Sequence, residues 1–308
     1  RQAALNLHNR HPRIGIGCLC ELFGKTRLAY YKRSEESFRH EKLRDRRLLD
    51  MVNEIRAEAP GIGAYKLFLI LRQTFEGRMV GRNRFYDFMH RHHLMLTPER
   101  RKHTTNSNHM FRKYRNLTKG LVPSAPCRLW VADITYIDTV EENCYLHLVT
   151  DAFTHEIMGW SLTSSLCAKD TLQALEQAVA NAGSHNLTGL IHHSDRGIQY
   201  CSQLYSGRLK ELGILISMTE DSNPTDNAIA ERVNGIIKQE WLYRMPYPRN
   251  LKEARKTIAS IISFYNKKRP HMSNGMKTPY QMRKMSLENL ELNRTDTIFD
   301  PYTKAKTI

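Results

Sequence analysis

The chain has 308 residues, long enough for two domains of ordinary size, and its hydrophobic share of 41% excludes disorder along the whole length. It carries 47 Lys and Arg against 31 Asp and Glu, a formal net charge of +16 that favours an anionic partner. No apolar run approaches the roughly 18 residues of a membrane span, and the first thirty residues lack the continuous apolar core of a signal peptide. We therefore expect a cytoplasmic protein that has no membrane partner.

The positive charge is concentrated in the first part of the chain. Residues up to Gly120 hold 26 of the 47 basic side chains and 11 of the 31 acidic ones, so nearly the whole excess precedes this point. A surface charged only for solubility would spread its charge along the chain. The asymmetry instead predicts a half that binds nucleic acid, followed by a nearly neutral half with another task.

Two short helices are predicted within residues 1–38, because apolar side chains recur at helical spacing on both sides of Gly24. This is the outline of a helix-turn-helix, a motif that places its second helix in the major groove of DNA. Lys25 and Arg27 stand at the start of that second helix, where they can meet phosphates or base edges. We predict that both bind DNA.

A second helical block is predicted over residues 39–97, as three amphipathic helices with basic outer faces. It is interpreted as a DNA-binding module, with Arg82 and Arg84 among its DNA contacts; a plain dimerisation bundle is the alternative. From 98 to 126 the helical periodicity stops and the chain becomes basic and polar. This stretch is predicted to be a linker that lies along nucleic acid.

The second half alternates between strand and helix patterns. Its predicted elements are strands at 128–139, 145–152 and 156–163, a helix at 168–183, a strand ending at Asp195, a helix at 202–212, a strand at 214–219 and a helix from Ala228. This order predicts an α/β catalytic core at 127–270, a mixed five-stranded sheet with flanking helices as in the ribonuclease-H-like fold. An all-α helix-turn-helix region precedes it.

Three carboxylates lie at significant places in this core. Asp133 is in the middle of an apolar strand, where burying an unpaired carboxylate costs several kcal/mol. Asp195 is at the carboxyl end of the fourth strand, and Glu231 is about one turn into the helix that follows. If strands one and four are neighbours, the three carboxylates converge on one edge of the sheet.

Three converging carboxylates with no lysine beside them form a hard-oxygen site, which suits Mg²⁺ or Mn²⁺ rather than zinc. Two such ions about 3.5 to 4 Å apart support in-line phosphoryl transfer. The pattern therefore indicates an enzyme that cuts or joins phosphodiesters. Taken singly, each acid also has a structural interpretation, as a polar core residue, a turn residue or part of a solvated helix face.

Four motifs occur in order along the chain. They are W-x-A-D-I-T-Y at 130–136, H-S-D-R-G-x-Q-Y at 193–200, N-P-x-D-N-A-x-x-E at 223–231 and Y-N-x-x-R-P-H at 265–271. With these motifs the chain resembles the DDE transposases of the IS-three insertion-sequence family, whose catalytic core is similar to that of retroviral integrases. The resemblance covers nearly the whole chain.

The resemblance implies residue roles. The three carboxylates would be the catalytic residues and the ligands of two metal ions. Lys238, seven residues after Glu231, would contact the end of the transposon, and Asn223 and Asn227, which shape the approach to the glutamate, are assigned to DNA binding as well. The reaction implied is cleavage at the ends of the element followed by strand transfer into a target.

The resemblance also implies partners. These are double-stranded DNA, both as terminal inverted repeats and as target, and further copies of the chain, because joining two ends needs at least two protomers. The product of an upstream reading frame is expected to be fused by frameshifting, in agreement with a chain that begins at Arg1 rather than Met. The expected location is the bacterial cytoplasm, on the nucleoid. No role is assigned to the tail at 271–308.

Other interpretations stay open on the residues alone. A ribonuclease H or structure-specific nuclease on the same fold explains the carboxylates but not the basic helices before them. A DNA-binding regulator or a decayed element predicts a lost carboxylate, and all three are present. A retroviral integrase proper needs a His-His-Cys-Cys zinc module, which the spacing of the six cysteines excludes.

Overall fold

The computed structural model describes residues 2–31, 35–75, 79–97, 113–183, 186–220 and 227–295. Outside these ranges lie Asn223, residues 98–112 of the predicted linker and residues 296–308 of the predicted tail. The chain divides into two compact units, residues 1–54 and 55–308. This division falls inside the range predicted for the second helical module, and the predicted domain boundaries stay a prediction.

The described residues form twelve α-helices, one short 3-10 helix (Leu242–Arg244) and five strands. The helices are α1 (Gln2–Arg10), α2 (Ile16–Leu22), α3 (Arg27–Tyr31), α4 (Glu35–Glu58), α5 (Ala64–Thr74), α6 (Arg82–Arg91), α7 (Ala168–Ala182), α8 (Ile198–Cys201), α9 (Gln203–Glu211), α10 (Ala228–Glu240), α11 (Leu251–Lys267) and α12 (Pro279–Thr295). The strands are β1 (Leu129–Asp138), β2 (Asn143–Asp151), β3 (Ile157–Thr163), β4 (Ile191–Ser194) and β5 (Leu215–Met218). None of these helices has both the length and the apolar character that crossing a membrane would require.

In the first unit, α1, α2 and α3 enclose a small apolar cluster. Its buried members are Ala4, Leu19, Cys20 and Tyr30. Gly24 separates α2 from α3 with a φ of +62°, a backbone conformation that glycine adopts without strain. The break between the two helices therefore lies where the sequence predicts it.

Helices α5 and α6 pack through aromatic side chains at the start of the second unit. The ring centroids of Phe68 and Phe85 are 5.8 Å apart, and those of Phe85 and Phe88 are 6.1 Å apart. Leu67 and Leu71 of α5 are fully buried beside them. The helical spacing of these residues, three and four apart, is what places them on one inward face.

The five strands form one mixed sheet in the order β3-β2-β1-β4-β5. Strands β1, β2 and β3 run antiparallel, whereas β4 pairs parallel to β1 and β5 pairs parallel to β4. The predicted ribonuclease-H-like core, a mixed five-stranded sheet with flanking helices, is confirmed.

Alternation along β1 assigns its side chains to two different helical layers. Trp130 and Ala132 belong to the core cluster that also contains buried residues of α7 and α9. Leu129 and Val131 belong to the opposite cluster, which includes Ala230 of α10. Since side chains along a strand alternate with a period of two, Asp133 lies on the α10 side of the sheet.

Two segments on either side of the core also pack on it. The end of the predicted linker lies along β5, since the backbone N–H of Leu117 donates to the hydroxyl of Ser217 at 2.8 Å. In the tail, the structure has helix α12, which the sequence analysis did not predict. Arg283 of α12 lies 3.3 Å from the carboxylate of Glu156 and also donates to the carbonyl oxygen of Asn181. These long-range contacts attach α12 to the sheet.

Candidate active site

The parallel pairing of β1 with β4 brings Asp133 and Asp195 next to each other. The last pair in this register is Ala132 opposite Ser194, and each of these residues is followed in the chain by an aspartate. The predicted adjacency of the first and fourth strands is thus confirmed. Sheets of this kind commonly bind ligands at the carboxyl ends of their parallel strands.

Both carboxylate oxygens of Asp133 accept hydrogen bonds. The backbone N–H of Ile134 donates to Oδ1 at 2.9 Å, and the side-chain amide of Asn234 donates to Oδ2 at 2.7 Å. The pKa of Asp133 is raised to about 7, first because the group is buried and then because Asp195 is negatively charged. Glu231 adds a smaller effect of the same sign, and the two hydrogen bonds oppose it.

Asp195 is half-buried and is oriented by the turn that follows it. The backbone N–H of Gly197 donates to its Oδ1 at 2.9 Å. A β-carbon at position 197 would lie only 3.0 Å from that oxygen, so glycine allows the turn to approach the carboxylate this closely. The motif H-S-D-R-G-x-Q-Y therefore contains the aspartate together with the residue that holds it.

Glu231 is exposed in the first turn of α10. The start of this helix is attached to β1 by Asn227, whose buried side-chain amide donates to the carbonyl oxygen of Ala132 at 3.1 Å. The side chain of Asn227, which was assigned to DNA binding, thus makes a contact inside the fold. The other asparagine of that assignment, Asn223, lies outside the described residues.

The carboxylate pair has the composition of a divalent-cation site. Its donors are all oxygens, and the pKa of Asp133 is raised first by burial and then by the negative charge of Asp195. Among the described residues, however, no three His, Cys, Asp or Glu side chains surround one metal position. The structure pairs Asp133 with Asp195, and the convergence of Glu231 on the same ions stays a prediction.

Lys238 lies on α10, seven residues after Glu231, as predicted. Its ammonium group is half-buried, which lowers its pKa, while the negative charges of Asp133 and Asp138 raise it. The expectation that no lysine lies near the carboxylates was therefore wrong. Two turns after Glu231 the same face of α10 recurs, and Lys238 lies on it. A residue distant in sequence from Asp133 is therefore close enough to interact with its charge.

The sequence analysis missed Asn234. It is buried in the middle of α10, donates to Asp133 and has no hydrogen-bond partner on its own Oδ1 among the described residues. Its spacing was the available signal: three residues after Glu231, it lies on a neighbouring part of the same helix surface. An asparagine among Val233, Ile236 and Ile237, all buried, is a polar residue that needs an explanation.

The predicted DNA contacts Arg82 and Arg84 belong to α6, the helix that packs against α5. Arg82 and Arg84 are exposed in the first turn of this helix. An open groove of about 670 Å³ runs beside it. The groove is lined by Tyr65, Arg82, Asn83, Tyr86, Asp87 and His90. Arginine, asparagine, tyrosine and histidine are side chains that contact phosphates and bases in DNA complexes.

In the first unit, Lys25 and Arg27 are exposed at the turn and at the start of α3. The side chain of Arg27 lies over α2, since a β-carbon at Gly17 would be 3.2 Å from its Cδ. Both residues are accessible to a ligand of the first unit, and their DNA contacts stay a prediction.

Comparison with known proteins agrees with this site. Two family profiles, both described as integrase core domain, match residues 123–224 and 212–279. A transposase assigned to insertion sequence element IS986/IS6110 of Mycobacterium tuberculosis is 32% identical over 82% of this chain and 92% of its own length. A 31 kDa protein of insertion element IS600 of Shigella sonnei is 35% identical over 86% of this chain and 97% of its own length.

A solved structure with a similar fold is the integrase catalytic core domain of HTLV-2 in complex with magnesium. It is 22% identical and covers 52% of this chain and 98% of that one, with a TM-score of 0.41.

The sheet order, the paired aspartates and the integrase core match define the class of protein as a DNA transposase with an integrase core domain. Within this class, the chain belongs to the IS-three family of insertion-sequence transposases. The relatives favour this enzyme over the ribonuclease H and regulator interpretations, as the resemblance of the motifs predicts.

Proposed function

We propose that the chain cleaves DNA at the ends of an insertion sequence and joins the freed 3′ ends to target DNA by phosphoryl transfer. The observation that carries this proposal is the buried Asp133 beside Asp195, where the pairing of β1 with β4 ends, with the pKa of Asp133 raised by burial and by its neighbour's charge. A buried carboxylate such as Asp133 beside a second carboxylate is costly, which supports a site built for a positively charged ligand.

The proposed metal ligands are the carboxylates of Asp133, Asp195 and Glu231. Together they would hold two divalent ions, Mg²⁺ or Mn²⁺. When bound, such a pair supplies activation of the attacking oxygen and stabilisation of the leaving oxygen. A catalytic role for all three carboxylates rests on the motifs, and for the two aspartates it rests on the structure of the sheet edge as well. Integrase core domains are divalent-metal dependent as a family, in agreement with this assignment.

The surrounding side chains orient these carboxylates. Asn234 holds one oxygen of Asp133 by donating a hydrogen bond, and Gly197 does the same for Asp195 through its backbone. Such bonds limit the rotation of each carboxylate, so that its oxygens already point toward the ligand position. Lys238 brings a positive charge to the same side of the sheet as Asp133. It is placed to contact a DNA phosphate near the bond that is cut.

DNA is proposed to be held mainly by the basic helices. The excess of positive charge before Gly120 supplies sequence-independent affinity for phosphates. Arg82 and Arg84, beside the groove on α6, are proposed contacts to the terminal repeats, and Lys25 and Arg27 are proposed contacts in the first unit. Asn223 and Asn227 are proposed to shape the DNA approach to the catalytic helix.

The proposed assembly contains at least two copies of the chain, because two element ends must be cut and joined together. Fusion to the product of an upstream reading frame, and action on the bacterial nucleoid, belong to the same proposal.

The test separates cleavage from DNA binding. Asp133→Asn, Asp195→Asn and Glu231→Gln each remove one charge from the site, and we expect each to reduce cleavage and strand transfer by at least a hundredfold in Mg²⁺. Affinity for DNA should stay within about threefold, since the basic helices are unchanged. Asp170→Asn, the same chemical change on α7, is the matched control and should retain activity.

The reciprocal variant is Arg82→Ala combined with Arg84→Ala. It should weaken binding to a DNA end while leaving the carboxylates intact, and it should lower the salt dependence of binding because two phosphate or base contacts are lost. A carboxylate variant that still joins DNA at the wild-type rate would contradict the role of that residue. Wild-type protein that fails to cut a duplex carrying the flanking inverted repeats would contradict the function itself.

A further inference from the structure

The motif Y-N-x-x-R-P-H has no role in the chemistry described above, yet its arginine is among the most buried charges in the molecule. Arg269 is only 2% exposed and donates two hydrogen bonds to Glu240, from Nε to Oε2 at 2.8 Å and from Nη2 to Oε1 at 2.7 Å. Its Nη1 donates to Nε2 of His271 at 2.7 Å. Burial and the charge of Arg269 lower the pKa of His271 to about 2, so this ring is neutral and accepts the bond.

Glu240 has a second cation as partner, and it comes from another part of the fold. Nζ of Lys66, in the first turn of α5, lies 2.8 Å from Oε1 of Glu240. Lys66 is 18% exposed and Glu240 is 13% exposed, so water screens this pair little. Glu240 is the last residue of α10, the helix that carries Glu231.

Further contacts join the end of α10 to residues before α5 and after α6. The backbone N–H of Gly61 donates to the carbonyl oxygen of Glu240 at 2.7 Å, and Nε1 of Trp241 donates to the carbonyl oxygen of Glu58 at 2.8 Å. Arg244 donates to the carbonyl oxygen of Thr97, just after α6. The end of α10 is thus held by residues that flank both α5 and α6.

Helix α5 therefore has two neighbouring residues with different tasks. Tyr65 lines the open groove beside α6, whereas Lys66 binds the end of α10. From Glu240 to Glu231 along α10 is nine residues, about 14 Å at 1.5 Å per residue. A rigid helix of this length transmits a shift at one end to the other.

We propose that Lys66, Glu240 and Arg269 form an ion cluster that sets the register between α5–α6 and α10. DNA held in the groove beside α6 then lies at one fixed distance from Asp133, Asp195 and Glu231. The cluster therefore determines which phosphodiester of the bound DNA is cut. The three residues are positioning residues, since none of them belongs to the carboxylate site. This inference rests on the proposed function and adds to it the selection of the cut position.

The test uses Lys66→Met in the full chain. This variant removes the ion pair between α5 and α10 but leaves the two-bond pair of Glu240 with Arg269 in place. The substrate is a duplex carrying the inverted repeat that flanks the coding region, labelled so that every cut position is read at single-nucleotide resolution. A duplex of unrelated sequence is cut in parallel in Mn²⁺.

We expect the fraction of cuts at the wild-type position to fall about tenfold, with new cuts at neighbouring phosphates, because small displacements in an active site have large effects on rate. Total cutting of the unrelated duplex should stay within twofold. The melting temperature should also stay close to that of the wild type. Such a change in cut position without a loss of overall activity is not expected from a residue that only stabilises the fold.

The matched control is Lys268→Met. Lys268 also forms an ion pair, with Glu58 at 2.6 Å, but both side chains are more than half exposed and neither belongs to α10. It should leave the cut position unchanged. Lys66→Gln is the second variant, a polar replacement that is measured in the same way if the methionine variant unfolds.

Three results are decisive. The inference is overturned if Lys66→Met, or Lys66→Gln where that variant is needed, cuts at the wild-type positions. It is also overturned if the variant loses cutting equally on both duplexes. Scattered cuts in Lys66→Met together with wild-type cuts in Lys268→Met support it. The proposed function fails separately, since it predicts that wild-type protein cuts the flanking repeat at all.

Discussion

Replacing Gly61 with alanine is a direct test of the close contact between the α4–α5 turn and the end of α10. A β-carbon built on Gly61 lies 2.5 Å from Cα of Glu240, 2.6 Å from its carbonyl oxygen and 2.7 Å from Cδ of Arg244. Carbon atoms in ordinary contact are about 3.5 to 4 Å apart. Two of the three atoms belong to the backbone of a helix, so a side-chain rotation cannot relieve the overlap, and the turn has to withdraw by about 1 Å.

The cost follows from the contacts that this withdrawal breaks. The hydrogen bond from Gly61 to Glu240 is 2.7 Å long and would lengthen beyond hydrogen-bonding distance. Losing it costs about 0.5 to 1.5 kcal/mol, and strain in the neighbouring packing costs about 1 to 2 kcal/mol more. We therefore expect Gly61→Ala to lower the free energy of unfolding by about 1.5 to 3.5 kcal/mol. In a unit of this size that corresponds to a fall in melting temperature of about 3 to 14 °C.

The assay is urea unfolding of the full chain, followed by tryptophan fluorescence because Trp241 adjoins the contact. Gly63→Ala is the matched control: the built β-carbon has no atom within 4 Å, and φ of −70° suits alanine. Its stability should stay within about 0.5 kcal/mol of the wild type, since alanine also restricts the unfolded chain. Equal stabilities for the two variants would refute the close approach of Gly61 to α10.

Two further predictions concern the core. Gly159→Ala should destabilise the chain by more than about 3 kcal/mol or prevent folding, because the new β-carbon would lie 2.0 Å from the carbonyl oxygen of Ala174. In contrast, Gly207→Ala, an open position in α9, should be neutral or stabilising, and the pair can be compared by thermal melting. Burial lowers the pKa of His147 to about 4 in the folded chain, whereas the unfolded chain has the ordinary value of about 6.5. Because the unfolded chain is protonated first as the pH falls from about 6.5 toward 4, the free energy of unfolding decreases by about 3 kcal/mol over this range. Urea midpoints across that range should fall less steeply for His147→Gln, and parallel curves would contradict the assignment.

Local sequence patterns determined much of the core. Runs of Val, Ile, Thr and Tyr with short polar turns predicted the strands around Asp133, because a half-buried strand selects such residues along its own length. The position of Asp195 at a strand end followed from the same pattern. The four motifs were sufficient to identify the family. These features depend on neighbours within about ten residues, which is the range that periodicity describes.

The length of the fourth strand shows the limit of such patterns. The apolar run predicted a strand ending at Asp195, but β4 has only four residues, from Ile191 to Ser194. Gly189, with a φ of +82°, lies in a turn before it. An apolar run shows that a segment is buried, whereas the turn within it depends on how the chain meets β1 and β5.

The surroundings of the site were decided by the tertiary structure. Asn234 is 101 residues from Asp133 in the chain and Lys66 is 174 residues from Glu240, yet each pair is in contact. Helical spacing shows that Asn234 shares a surface with Glu231, but it does not show which strand that surface meets. That choice depends on the packing of α10 on β1, where the free energy of burying Ala230 against Leu129 and Val131 selects one arrangement of whole elements. Contacts between distant polar residues follow from that arrangement, and no local pattern records them.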